Sequence, residues 1–272
     1  MSLAQRVNAT ARNGTRYSLA GPVDAPLLAF IHGLGLNRQI WDRFVTCLEP
    51  RYRVLTYDLY GHGESANAPV KPDVSLYSQQ LIELLDELGI ERCVAVGFSL
   101  GGMINRRMAI DHPRRIAGLA IFNSPHERSS AAQQLAEQQA LDSAGGGPGA
   151  TLDAAIERWF TADFRQAHAD YIEQVRAWVL ANDADNYAAA REVLAFGVVE
   201  LIRPQPPIQS PTLVMTCEND SGSTPAMSHA IASEIDGADV IIVPHLRHMG
   251  LAEAPDLFID ALTGFLDSKV QF

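Results

Sequence analysis

The sequence is poor in the features that mark several classes of protein. Its three cysteines, at positions 47, 93 and 217, show neither a disulfide framework nor a metal-ligand spacing, so we expect reduced core thiols and no metal. Acidic residues outnumber basic ones by 32 to 21, and the formal net charge is −11. A protein with this excess of negative charge is not expected to have the positively charged surface that binds a phosphate backbone or an anionic membrane. We therefore expect neither nucleic acid nor a membrane as a partner.

The chain also lacks any apolar run of the roughly 18 residues that a membrane-spanning helix needs. Its first twenty residues do not have the basic and then apolar layout of a signal peptide. These absences predict a cytoplasmic protein. The length of 272 residues and the hydrophobic content of 47% are sufficient for one large core that carries an insertion.

Short apolar segments alternate with segments of helical period along most of the chain. This alternation predicts an α/β fold with a mostly parallel sheet and helices on both faces. The predicted strands are bounded by Gly, Pro, Asn or Asp and cover residues 27–32, 53–58, 93–98, 116–122, 211–217 and 239–243. Helical spacing is clearest over residues 74–88 and 253–266.

The strand pattern disappears between about residues 126 and 207. This segment is rich in Ala and Gln, contains a glycine cluster at 145–149 and ends in a proline-rich stretch. We interpret it as a helical cap insertion between core parts 1–125 and 208–272, and the glycine cluster as a loop, with a hinge as the alternative. The segment has more aromatic residues than a solvated linker needs, so we expect it to pack on the carboxyl edge of the sheet.

The strongest chemical motif is Gly-Phe-Ser-Leu-Gly-Gly at residues 97–102, between a predicted strand and a predicted helix. A nucleophile on such a sharp turn projects above the sheet, and flanking glycines relieve the crowding. Ser99 is therefore the candidate nucleophile. The backbone N–H of Leu100 begins the helix and is a candidate oxyanion donor.

A second oxyanion donor is expected from the loop His-Gly-Leu-Gly at residues 32–35, which follows a predicted strand and lies beside the serine turn. We assign this role to the backbone N–H of Leu34. His32 itself is interpreted as a buried residue that braces the loop.

Three motifs, at residues 32–35 (HGLG), 58–65 (DLYGHGES) and 97–102 (GFSLGG), resemble in this order the α/β-hydrolase superfamily. The resemblance extends over nearly the whole chain. It implies the α/β-hydrolase fold and a triad in the chain order serine, acid, histidine.

The acid of that triad is predicted to be Asp220, in the loop after the strand 211–217. Glu218 is the local alternative, but it lies closer to the strand and has less reach. The segment Asn-Ser-Pro at 123–125, where the acid lies in the other known arrangement, contains no carboxylate.

The base is predicted to be His248, in the loop after the last strand. Its distance from the final helix resembles that of the superfamily's catalytic histidine, whereas His245 comes three residues earlier. A neutral imidazole accepts the serine proton, and a carboxylate fixes the tautomer and stabilises the imidazolium.

A closer resemblance concerns residues 157–161 (ERWFT), 186–190 (NYAAA) and 101–104 (GGMI), which are similar to 3-oxoadipate enol-lactonases and related ester or lactone hydrolases. It implies a small-molecule ester or lactone as substrate, an acyl-enzyme, and neither a metal nor an organic cofactor. Trp159 and Phe160 would face the substrate under this interpretation. An aromatic pair on an amphipathic helix is also compatible with ordinary core packing.

Several features leave the substrate open. Arg38, the pair at 106–107 and the phrase His-Leu-Arg-His at 245–248 depart from the lactonase pattern. Carbon–carbon bond hydrolases of aromatic catabolism share the same triad and cap. From a different class, the fold also serves as a ligand-binding receptor or an inactive module. The sequence predicts no oligomeric state.

Overall fold

The computed structural model describes residues 6–142 and 146–272. Its centre is an eight-stranded sheet with the strand order β1-β2-β4-β3-β5-β6-β7-β8. The strands are β1 (Val7–Thr10), β2 (Arg16–Ala20), β3 (Leu27–Ile31), β4 (Arg53–Tyr57), β5 (Cys93–Phe98), β6 (Ile116–Phe122), β7 (Thr212–Cys217) and β8 (Asp239–Val243).

The six predicted strands are confirmed to within one residue at their ends, and they pair in parallel as β3 to β8. The sequence did not reveal β1 and β2, which pair antiparallel at one edge of the sheet. Both are short, and β1 is largely exposed, so neither has the continuous apolar pattern of a buried parallel strand.

Helices cover the two faces of the sheet. The helices are α1 (Asp42–Leu48), α2 (Val74–Glu87), α3 (Leu100–Asp111), α4 (Ser130–Asp142), α5 (Leu152–Trp159), α6 (Ala162–Ala167), α7 (Ala169–Leu180), α8 (Ala184–Phe196), α9 (Pro225–Ser233), α10 (Gly250–Glu253) and α11 (Pro255–Lys269). Alternate residues of each strand point to opposite faces, so Phe30 packs in one apolar cluster with α1 and α11, while Ala29 and Ile31 pack in the other with α2 and α3.

Helices α4 to α8 all lie between β6 and β7, in the segment for which an insertion was predicted. Apolar side chains of α5 and α7, including Ile156 and Val175, are buried in the same cluster as the residues of α1. Residues 146–149 of the glycine cluster form turns, and residue 145 lies outside the described residues. Within the described ranges, no helix is both long and apolar enough to cross a membrane.

The parallel strands determine where the candidate residues meet. Because β3, β5, β6, β7 and β8 run in the same direction, the loops that follow them emerge at one edge of the sheet. These loops carry the predicted site residues Leu34, Ser99, Asp220 and His248, which are distant from one another along the chain.

Candidate active site

Ser99 lies on a strained turn between β5 and α3, with a backbone φ of 55°. Such a conformation is rare for a residue other than glycine, and strain of this kind clusters at functional sites. A side chain on Gly97 would come within 2.1 Å of the Gly101 carbonyl oxygen, and one on Gly101 within 2.2 Å of the Ile31 carbonyl oxygen. Both positions therefore require glycine, as the motif predicted.

The turn is also held by the sheet, because the Ser99 N–H donates a hydrogen bond to the Phe122 carbonyl of β6 at 2.9 Å. The next N–H, that of Leu100, is the first of helix α3, and such N–H groups have no acceptor within their own helix. The Leu100 amide therefore has no acceptor within α3.

A cavity of about 600 Å³ opens above this turn. Ser99, Leu34, Asp220 and His248 all line it. Helices α4, α5 and α8 also contribute lining residues, among them Ala136, Arg158, Trp159, Tyr187 and Arg191. The structure therefore brings the predicted nucleophile, acid and base to one cavity.

Asp220 and His248 are joined directly, because Nδ1 of the histidine lies 2.7 Å from Oδ2 of the carboxylate. A carboxylate only accepts, so Nδ1 carries the proton and Nε2 has the free lone pair. The His248 ring centroid is 4.9 Å from that of Phe98, the neighbour of Ser99. Nε2 is thus the nitrogen of His248 that is available to accept a proton.

The Asp220 carboxylate is buried and saturated with donors. Its Oδ1 accepts from the N–H groups of Gly222 and Ser223, each at 2.9 Å, and its Oδ2 accepts from Nδ2 of Asn123 at 2.9 Å. Burial alone raises the pKa of Asp220, but the attraction of the His248 ring when it is protonated and the hydrogen bonds to the carboxylate outweigh burial and hold the pKa below its usual value. Asp220 is therefore ionised at neutral pH.

Asn123 is a site residue that the sequence did not predict. It directly follows β6 and adopts a left-handed backbone with a φ of 47°, a conformation that asparagine tolerates better than most residues. Its position at the carboxyl end of β6, the strand next to the one that precedes Ser99, is the feature of the sequence that could have identified it.

The two rejected alternatives lie together on the surface. The His245 side chain is 91% exposed, and its Nδ1 is 3.6 Å from a carboxylate oxygen of Glu218. Neither residue is among the residues that line the cavity in the described part of the chain.

The loop at residues 32–35 is fixed by hydrogen bonds on two sides. His32 donates from Nδ1 to the Gly33 carbonyl at 2.8 Å, and its Nε2 accepts from the Leu59 N–H at 2.9 Å. From the segment between α7 and α8, Asn182 donates to the Gly35 carbonyl at 3.0 Å. These hydrogen bonds fix the conformation of the loop backbone.

Both buried histidines near this loop are expected to make the fold sensitive to acid. Burial lowers the pKa of His32 to about 4, and burial together with the charge of His32 lowers the pKa of His62 to about 3. In the unfolded chain the two histidines take up protons near pH 6.5, whereas in the folded protein they do so only at lower pH. Their contribution to the free energy of unfolding is therefore complete above about pH 6.5 and is lost as the pH falls. Between pH 7 and pH 5 the free energy of unfolding should decrease by about 2 kcal/mol for each histidine.

Urea denaturation at the two pH values checks this prediction. His62→Gln removes one titrating group, so the decrease between pH 7 and pH 5 should be about 2 kcal/mol smaller in the variant than in the wild type. An equal decrease in both proteins would show that His62 titrates normally in the folded state.

The two aromatic residues that were predicted to face the substrate occupy different environments. Trp159 lines the cavity, and its ring centroid is 6.4 Å from that of His248. Phe160 is fully buried away from the cavity, where it stacks on Phe164 at 5.5 Å and packs edge-on against Tyr171. The substrate-facing interpretation therefore does not fit Phe160, because its side chain points into the core and not into the cavity.

The arginines that depart from the lactonase pattern have structural contacts. Arg38 forms ion pairs with Asp58 and Glu64 beside the loop at residues 32–35. Arg106 is buried in α3 and donates to the Pro125 carbonyl at 2.7 Å. Arg247 donates to backbone carbonyls at the end of α5, and in this way ties the histidine loop to that helix.

The described residues contain no group of three or more His, Cys, Asp or Glu side chains placed to hold a metal ion. A serine on a strained turn after a central parallel strand, with an aspartate–histidine pair from the last two strands above it, defines the class of α/β hydrolases. The Alpha/beta hydrolase family matches residues 28–261, and the chain belongs to this family and is an enzyme.

Two characterised relatives come from Acinetobacter baylyi. The chain is 29% identical to 3-oxoadipate enol-lactonase 2 over 90% of each protein. It is 24% identical to (E)-2-((N-methylformamido)methylene)succinate hydrolase, over 89% of this chain and 90% of the relative. The predicted similarity to enol-lactonases is thus confirmed at the level of sequence.

Solved structures agree with this assignment. The enol-lactonase of Burkholderia xenovorans LB400 superposes with a TM-score of 0.85 at 27% identity and covers 96% of this chain and all of its own. A thermophilic esterase of Thermogutta terrifontis, with malate bound, superposes with a TM-score of 0.80 at 27% identity and covers 97% of this chain and 98% of its own.

Proposed function

We propose that this protein is a serine hydrolase that cleaves a small carboxylic ester or lactone through an acyl-enzyme on Ser99. The hydrogen bond of 2.7 Å between His248 and Asp220, in the cavity that Ser99 lines, is the observation that carries the proposal. It leaves Nε2 of His248 as the imidazole nitrogen that would act as the base for the Ser99 hydroxyl.

In the first step, the Ser99 Oγ attacks the substrate carbonyl carbon, and Nε2 of His248 takes the serine proton. Asp220 stabilises the imidazolium that forms. The histidine then protonates the leaving alkoxide or enolate oxygen as the bond to the acyl carbon breaks, so the acyl group stays on Ser99. In the second step, water that His248 deprotonates attacks the acyl carbon, the bond to Ser99 Oγ breaks, and the histidine returns the proton to Ser99 as the acid leaves.

The negative charge that develops on the carbonyl oxygen is stabilised by the backbone N–H groups of Leu34 and Leu100. Both belong to backbone that the fold already holds, one in the loop braced by His32 and one at the start of α3. Such preorganised donors need no rearrangement during the reaction. Loss of one donor typically costs about 100- to 1,000-fold in rate.

Residues 126–207 serve, in this proposal, as a cap over a core composed of residues 1–125 and 208–272. Supporting this role, α4, α5 and α8 supply part of the cavity lining, with Trp159 near His248. The cap would exclude water and select the acyl group. The names of the enol-lactonase and esterase relatives support a lactone or ester as the substrate class.

A fluorophosphonate probe and 4-nitrophenyl acetate test the proposal together. We expect one covalent adduct, located on Ser99 by mass spectrometry, and a burst of nitrophenol equal to the enzyme concentration. A panel of enol-lactones, simple esters and vinylogous diketones then separates lactone or ester hydrolysis from carbon–carbon bond cleavage. Absence of both labelling and turnover would favour a binding role for the fold and contradict the proposal.

A further inference from the structure

The loop that carries His248 is hydrogen-bonded on both sides of that residue to one short stretch of the chain, residues 157–161, which runs from the end of α5 to the start of α6. Before His248, the Arg247 side chain donates to two backbone carbonyls of this stretch. After it, the Met249 N–H donates to a third carbonyl, that of Trp159, at 2.9 Å. We call residues 157–161 the α5–α6 junction.

A side chain of helix α10 makes the third link to the α5–α6 junction. The Glu253 carboxylate accepts from the Thr161 N–H at 2.8 Å through one oxygen and from the Thr161 hydroxyl at 2.5 Å through the other. The same hydroxyl accepts from the Phe164 N–H at 3.3 Å and thereby caps the first turn of α6. Two charge-assisted hydrogen bonds to one residue fix direction as well as distance.

His248 depends on such contacts because it belongs to no strand or helix. It follows the end of β8 at Val243 and precedes the start of α10 at Gly250. On the side of the core, the Leu246 carbonyl accepts from the Asn219 N–H at 3.0 Å, which connects the loop to the one that follows β7. The links from the α5–α6 junction act on residues that bracket His248. Its backbone position is therefore set jointly by the core and by the α5–α6 junction.

We propose that the α5–α6 junction is a positioning element for the base of the hydrolase reaction, and that Thr161 and Glu253 are its positioning residues. They hold His248 where its Nε2 can take the Ser99 proton, whichever substrate is bound. A shift of about 1 Å in such a group can lower the rate about 100-fold, so anchors that do not touch the reacting atoms still matter. This inference rests on the proposed hydrolase function and gives a role to the stretch ERWFT, which resembles the enol-lactonases.

Removal of the Thr161 hydroxyl tests the positioning role. Thr161→Val should lower kcat for 4-nitrophenyl acetate by about 10- to 100-fold and change KM by less than about threefold, because His248 serves both chemical steps while binding is unchanged. Thr161→Ser keeps the hydroxyl and should restore kcat to within about threefold of the wild type. Glu253→Ala removes both bonds and should lose at least as much as Thr161→Val. The double variant should lose no more than Glu253→Ala alone, since both side chains act through one contact.

These values of kcat are expressed per active site, titrated by fluorophosphonate labelling carried to completion, so that unfolded molecules do not lower them. Circular dichroism and thermal unfolding report any loss of fold separately. Asp163→Ala is the matched control, because Asp163 lies in the first turn of α6 close to Thr161 but is exposed. Its kcat should stay within about twofold of the wild type.

Three outcomes would overturn the positioning role while the hydrolase function stands: wild-type kcat in Thr161→Val, a Thr161→Ser variant as slow as Thr161→Val, or a loss that appears in KM alone. A loss in Asp163→Ala as large as that in Thr161→Val would assign the effect to the stability of α6 and overturn the role as well. A wild type that shows neither labelling nor turnover would overturn the hydrolase function itself.

Discussion

Replacement of Ser99 by alanine is expected to reduce kcat by about 10⁶-fold, as the loss of a serine nucleophile does in other enzymes of this chemistry. The reason is that no acyl-enzyme forms, and only binding and oxyanion stabilisation remain. The alanine variant should keep its fold, because the φ of 55° is imposed by neighbouring backbone contacts rather than by the hydroxyl. We expect its free energy of unfolding to stay within about 1 kcal/mol of the wild type.

Hydrolysis of 4-nitrophenyl acetate and fluorophosphonate labelling should disappear together in this variant, while circular dichroism and thermal unfolding remain unchanged. Ser221→Ala provides the matched control, because Ser221 is an exposed serine that lines the same cavity. Full activity of the Ser99 variant, or loss of labelling only in the Ser221 variant, would remove Ser99 from the nucleophile position.

A second large effect is expected at the histidine loop. His248→Ala should lower kcat by about 10⁵- to 10⁶-fold, since removal of the base costs nearly as much as removal of the nucleophile. The substitution leaves the buried Asp220 without one of its partners, but the donors from Asn123, Gly222 and Ser223 remain. The loss in stability should therefore be smaller than the roughly 3–5 kcal/mol of a buried charge left unpaired.

His245→Ala is the comparison for this effect, because His245 lies three residues away with a side chain that is 91% exposed. We expect its kcat to change by less than about twofold, as is usual for an exposed residue away from the site. Steady-state kinetics with 4-nitrophenyl acetate on both variants measures the difference. If the His245 variant were the inactive one, the catalytic base would have to be reassigned.

Much of the architecture could be predicted because its signals are local. Strands β3 to β7 are buried almost throughout, and β8 at the sheet edge is partly buried but still apolar. Each of the six is therefore a short apolar run that ends at a turn residue, and all six were found. The serine turn was equally visible, since Gly97 and Gly101 are required by backbone contacts that no other residue allows. The edge strands β1 and β2 were missed because they are short and partly exposed.

Other features depend on contacts between distant parts of the chain. Asn123 meets Asp220 across 97 residues, and Asn182 meets Gly35 across 147. The orientations of Trp159 and Phe160 differ although the residues are adjacent, because the packing of α5 against α6 and α7 decides which ring reaches the cavity.

Patterns along the chain were sufficient to locate the six parallel strands, the serine turn, the family and the short set of candidates for acid and base. Strand burial and turn geometry are imposed by neighbouring residues, so they leave a pattern along the chain. The hydrogen bond that joins Asp220, and not Glu218, to His248 is visible only in the folded structure, as is the contribution of Asn123. Hydrogen bonds between residues far apart along the chain depend on distances in space, which no spacing in the sequence encodes.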